Sequence, residues 1–190
     1  PEGWDNISFA PIKSNADLTV YEVHVADVTM SNTWTGTEEY RGTWKGMVEK
    51  GTTYTKDGIT VKTGYDHIDE LGVNAVQILP FYDHDNDETD MVGNYNWGYN
   101  PKNYNAPEGV YSTNPYDGLT KILETREAIL ALSQTKVGTR TIMDVVYNHV
   151  ASAYSSSFTS ITPGYFFRYD ENGKCRYIYQ LCKTYGYAYC

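Results

Sequence analysis

The sequence has no cysteine before position 175, because Cys175, Cys182 and Cys190 all fall at its very end. No disulfide framework can therefore staple the body of the protein, and an odd number leaves at least one thiol over. A zinc site would need a further ligand and tighter spacing. Basic residues are scarce as well, with 15 Lys and Arg against 24 Asp and Glu, a formal net charge of -9 and a pI of about 4.8. That balance excludes a nucleic-acid partner, whose phosphates demand clusters of Lys and Arg. No apolar run approaches the ~20 residues of a membrane span, so a membrane partner is not expected. Glycine-rich nucleotide fingerprints, Walker motifs, Cys-x-x-Cys pairs and nucleophile elbows are missing too, which weakens nucleotide, redox and serine-hydrolase readings. The chain opens Pro1-Glu2-Gly3-Trp4 with neither a start Met nor a signal-like segment, so it reads as an excerpt of undetermined compartment.

What the sequence does hold is tyrosine: 19 Tyr against 5 Phe, with 190 residues that are 41% hydrophobic and 21% charged. Such a composition suits a globular core, and a Tyr ring pairs an apolar face with a hydroxyl, as a sugar ring does. Three β-branched or apolar runs, Leu18 to Val25, Ala75 to Leu79 and Thr141 to Val146, predict strands. Between the first two, Tyr65 to Gly72 predicts a short helix stopped by glycine. Between the last two, Asn114-Pro115-Tyr116-Asp117 predicts a cap, and Leu119, Ile122, Leu123, Ile129 and Leu130 predict one apolar helical face. Strand, helix, strand, helix, strand implies an α/β protein with a parallel sheet, either open and doubly wound or part of a closed barrel. Long segments, Asp27 to Gly64 and Phe81 to Asn114, follow the first two strands, on the face where such folds place their sites.

Two motifs could carry chemistry. Tyr95-Asn96-Trp97-Gly98-Tyr99-Asn100-Pro101, followed by Tyr104, sets aromatics around a Gly and a Pro in a tight turn that can present ring faces to a ligand. The bland alternative is a loop pinned down by its aromatics. Asp144-Val145-Val146-Tyr147-Asn148-His149 ends an apolar strand in polar groups, where Asp144 inside a β-run needs donors or a cation and His149 can donate to a ligand hydroxyl. A satisfied structural Asp and a surface His would explain the same residues. The acidic run Asp83 to Asp90 invites a calcium reading but fails as an EF-hand, with Glu88 at the sixth position and Asn94 at the twelfth, so it reads as a solvated charged loop. His24 and His67 read as core or surface residues.

Taken in order, Tyr21-Glu22-Val23-His24-Val25, Tyr95-Asn96-Trp97-Gly98-Tyr99-Asn100-Pro101 and Asp144-Val145-Val146-Tyr147-Asn148-His149 resemble glycoside hydrolase family 13, specifically the type I pullulanases. Asn74 to Pro80 and Ser112 to Gly118 add to a similarity that runs from about Leu18 to Gly173. The resemblance implies a partial (β/α)8 TIM barrel, strands one to three with their long βα loops. Residues 1–17 would then be a linker from a preceding domain, 18–173 the N-terminal part of the catalytic barrel and 174–190 an atypical tail.

The resemblance also implies an α-glucan partner and hydrolysis of α-1,6 branch bonds in pullulan, glycogen or starch. Tyr99 would stack on the glucose on the non-reducing side of the scissile bond, with Trp97 supporting that subsite. His149 would hydrogen-bond the same sugar, while Asp144 and Asn148 organise the strand end around it. In related amylases the residue matching Asn148 is a calcium ligand, which leaves calcium open as a cofactor; no other is implied. Retaining hydrolysis needs a carboxylate nucleophile and an acid/base carboxyl about 5 Å apart. The family carries both on later strands, and neither segment is found here, so no catalytic residue is assigned and the chain alone is expected to be inactive. The change of composition after Gly173 is read as a frameshift or premature stop. The alternative is a non-catalytic α-glucan-binding fragment.

Overall fold

The structure is a computed structural model and describes residues 1–89 and 95–175. Asp90 of the acidic run, Asn94 at the twelfth position of the calcium reading, and the tail from Arg176 with Cys182 and Cys190 lie outside the described residues. Five strands and four α-helices are numbered here in chain order: β1 Val20–Val23, α1 Trp44–Met47, β2 Thr53–Lys56, β3 Ile59–Lys62, α2 Gly64–Leu71, β4 Ala75–Ile78, α3 Gly118–Ser133, β5 Arg140–Met143 and α4 Ser157–Ile161. β1, β4 and β5 form a parallel sheet in that spatial order, and β2 and β3 form a separate antiparallel hairpin.

The sheet's middle strand is its most apolar. Ala75, Val76 and Ile78 of β4 are fully buried, as expected of a parallel strand covered on both faces. Its start is tied to β1 by Asn74, whose side chain accepts from the Thr19 amide at 2.9 Å and donates to the Asp17 carbonyl at 2.7 Å. Around it pack Val23 of β1, Val25 and Ala26 just after it, Trp44 and Met47 of α1, Ile68 of α2, and Ala128 and Leu132 of α3. Each fully buried aliphatic side chain of this kind contributes about 1.5–3 kcal/mol.

The three expected strands and two expected helices are present, with shorter strands than the apolar runs suggest. β5 ends at Met143, so Asp144 lies just past the strand and is half-buried rather than enclosed in a β-run. Its amide still donates to the Ile78 carbonyl at 3.0 Å, which keeps it in line with β4.

The hairpin was not expected. It occupies part of the long segment after β1 and turns at Asp57-Gly58, both with positive φ (52 and 77). That pair of left-handed residues is the two-residue turn whose twist matches antiparallel strands.

α3 starts as predicted, with the Asp117 carboxylate accepting from the Leu119 and Thr120 amides. Its buried face differs from the expected one. Glu124, Thr125, Ala128 and Leu132 are buried, while Leu119, Ile122 and Leu123 are exposed. Glu124 holds its place because its carboxylate accepts from the Thr113 amide at 2.9 Å and from the Thr113 hydroxyl, and pairs with Lys45 at 3.4 Å. A buried charge with that many partners is tolerated where an unpaired one is not.

No helix among the described residues is long and apolar enough to cross a membrane. Cys175 is buried and free.

Candidate functional site

The acidic run after β4 is solvated only in part, with Asp85, Asp87 and Thr89 exposed. Asp83 and His84 are buried, and His84 pairs with the wholly buried Glu108 across 3.2 Å. Glu108 accepts from the His84 amide at 2.9 Å and from the Val110 amide at 3.0 Å, so one carboxylate pins two stretches of the segment between β4 and α3. The charge pattern hid this because burial of Asp83 is made possible by partners distant in sequence, among them the Asn103 side chain at 2.5 Å. Asp85, further along, uses its backbone. Its amide donates to the Asn100 carbonyl at 3.1 Å, and its own carbonyl accepts from the Asn100 and Asn96 side chains at 2.9 and 3.3 Å.

That scaffold presents the aromatic turn. At its centre the Asn96 side chain accepts from the Gly98 amide at 2.9 Å. Gly98 has φ +87, and a Cβ there would sit 2.3 Å from the Pro80 carbonyl oxygen, so only glycine allows the turn to lie this close to the end of β4. On either side the rings face outward, with Tyr95, Trp97 and Tyr99 all exposed and Trp97 the most so at 62%.

The turn meets the loop after β5 through Tyr99. Its hydroxyl donates to Asp144 Oδ2 at 2.7 Å, and its carbonyl accepts from His149 Nε2 at 2.5 Å. A carbonyl only accepts, so His149 Nε2 is the donor in this contact. Partial burial, then the bond to Asp144 and that residue's charge, push the Tyr99 hydroxyl up to about 12, so it remains a donor at neutral pH. Tyr104 reinforces the junction by donating to the His149 carbonyl at 2.5 Å, with the rings of Tyr147 and Phe158 stacked against it at 5.9 and 5.7 Å.

The structure thus brings Tyr99, Asp144 and His149 together, holds Trp97 on the same turn, and leaves Asn148 exposed beside His149. Because the Tyr99 hydroxyl is already engaged, what that residue offers a ligand is its ring face. Two residues given no site role by the sequence, His24 read as a core or surface residue and Asp27, also reach the turn from the end of β1. His24 Nε2 lies 2.9 Å from the Asn96 carbonyl, and Asp27 accepts from the Tyr95 hydroxyl at 2.8 Å. Only the position of His24 at a strand end could have signalled this.

Among the described residues, one group of three potential metal ligands occurs, Asp83, Glu88 and Glu108, with oxygens within 4.8 Å of one another. Each carboxylate already has a protein donor, Glu88 taking Lys121 at 3.2 Å. No such group gathers around Asn148, so the described residues there do not fit a carboxylate-rich calcium cage.

A parallel sheet whose strand ends carry long, mutually bonded loops defines the class, a mixed α/β protein. No family model matches the sequence. The pullulanase of Bacillus subtilis (strain 168) is 37% identical over a 170-residue alignment that covers 86% of this chain and 22% of that protein. The crystal structure of Paenibacillus barengoltzii pullulanase in complex with maltohexaose and α-cyclodextrin superposes with a TM-score of 0.79 at 42% identity, over 91% of this chain and 26% of that one. That of type I pullulanase from Bacillus subtilis str. 168 complexed with maltose gives 0.73 at 40% identity, over 87% and 23%. Over most of its length this chain is similar to type I pullulanases, and it spans about a fifth of the length of the curated relative from Bacillus subtilis.

Proposed function

We propose that the chain forms the first three strands of a (β/α)8 barrel and supplies part of the α-glucan-binding surface of an α-1,6-glucan debranching enzyme, residues 18–173 being the barrel portion. Tyr99 stacks on the glucose at the non-reducing side of the scissile bond and Trp97 extends that surface. His149 and Asn148 present polar groups to the sugar edge, and Asp144 fixes the Tyr99 ring. The observation that carries the reading is the bonding of Tyr99 at both ends, hydroxyl to Asp144 and carbonyl to His149. A ring locked in this way binds a sugar face without losing rotamer freedom on association. The maltooligosaccharides in the relatives' structures agree with a glucan partner.

Hydrolysis by retention would need a nucleophile and an acid/base carboxyl about 5 Å apart. The role assigned to this chain is to bind and orient the glucan.

Isothermal titration with maltotetraose tests the reading. Saturable binding that weakens at least about tenfold in Tyr99→Ala supports it. Equal affinity of the two proteins, or no heat at millimolar sugar, refutes it.

A further inference from the structure

Beyond its bonds to Asp85, the aromatic turn is held from two further directions. One anchor is the Tyr99–Asp144–His149 junction; the other runs to the end of β1, where no role follows from the similarity. His24 is 5% exposed and its Nε2 lies 2.9 Å from both the Asn96 carbonyl and the Tyr111 hydroxyl. The carbonyl can only accept, so Nε2 bears the hydrogen, and the Tyr111 oxygen shares it. Nδ1 is then bare, has no hydrogen-bond partner among the described residues, and lies 3.7 Å from Asp27 Oδ1. Asp27 in turn accepts from the Tyr95 hydroxyl at 2.8 Å, and the His24 and Tyr95 rings sit 5.1 Å apart. His24 is thus bonded to the turn at Asn96 and Asp27 at Tyr95, immediately before Trp97 and Tyr99.

We infer that His24 and Asp27 form a latch that sets the conformation of the Tyr95–Pro101 turn, so that they are positioning residues for glucan binding without touching the sugar. The inference rests on the reading of Trp97 and Tyr99 as sugar platforms. The latch is also visible without a ligand. With the Nε2 donor removed, the half-buried Asn96 carbonyl loses its His24 partner and the hold from the end of β1 is reduced to the Asp27–Tyr95 bond.

The test compares His24→Leu with His24→Gln, whose side-chain amide restores a donor near the Nε2 position. Tyr95→Phe, which deletes only the hydroxyl at an exposed site, covers the case in which His24→Leu fails to fold. Amide hydrogen exchange reads the latch directly. The amides of residues 95–100 should exchange about tenfold faster in His24→Leu and in Tyr95→Phe, those of Val76 and Ile78 should not change, and His24→Gln should restore protection. The maltotetraose affinity should follow the same order. Unchanged exchange over residues 95–100 in both His24→Leu and Tyr95→Phe, or a His24→Gln protein as loose as His24→Leu, overturns the latch. If the exchange results hold while the wild type binds no maltotetraose, the glucan reading fails and the latch stands.

Discussion

At Gly98 a positive φ coincides with a close approach to the Pro80 carbonyl oxygen, so any side chain is disfavoured twice. Gly98→Ala should cost about 1–3 kcal/mol, read as a lower denaturation midpoint with an unchanged denaturant slope. A midpoint within error of the wild type would mean that the turn relaxes freely. His24 gives a prediction in pH. Burial lowers its pKa from the ordinary value of 6.5, outweighing the raising effects of the Asn96 carbonyl and the Asp27 charge. A base with a depressed folded value binds fewer protons folded than unfolded, so its stabilising contribution is complete above pH 6.5 and is lost as pH falls from there towards the folded value. The neighbours facing it, Asp27, Asn96, Tyr95, Tyr111 and His84, are common to the wild type and His24→Gln. Subtracting the two stability–pH curves should isolate this loss. A flat difference between pH 5 and 8 would contradict it.

At the scale of elements, the sheet was legible where one physical signal decides. β4 reads as a strand because a run buried on both faces must be continuously apolar. The hairpin escaped notice because β2 and β3 are four residues each and lie at the surface, Thr53 and Tyr54 half-buried and the rest exposed, so the short alternation of Ile59 and Val61 marks no core face, although Asp57-Gly58 is a strong turn signal. α3 was placed correctly but turned to the wrong face. Its buried positions include Glu124 and Thr125, held by hydrogen bonds that a hydrophobic period cannot report. The site divides the same way. Tyr99, Asp144 and His149 stand in motifs that follow strands, whereas their contacts join residues 45 and 50 positions apart. The substitutions that follow from the α3 geometry are Leu119→Lys, expected to change stability by less than about 0.5 kcal/mol, and Leu132→Ala, expected to cost about 2–5 kcal/mol. Thermal melts of the two variants check the orientation, and the reverse order would contradict it.

For the whole molecule, the sheet is closed on neither side: β1 and β5 each pair only with β4 among the described residues. Val20 and Tyr21 on β1 and Met143 on β5 are exposed. Unpaired parallel edges bearing apolar side chains invite pairing with other chains. Sedimentation of the 190-residue chain should therefore show association that rises with concentration, and a monomer at all concentrations would argue against the open-edge account. The loops at the strand ends depend less on those edges, since Glu108, Asp83 and the Tyr99 junction draw their partners from within the segments after β4 and β5.

The claim that matters most is that an α-glucan lies against the rings of this turn. Saturation-transfer difference NMR with maltotetraose, assigning the protein side by selective labelling of Tyr99 and Trp97, measures that contact directly. The account predicts transfer from both rings to sugar protons, abolished for the Tyr99 signal in Tyr99→Ala and weakened in His24→Leu. Transfer from neither ring under conditions where the sugar is bound, or none at saturating sugar, would contradict it.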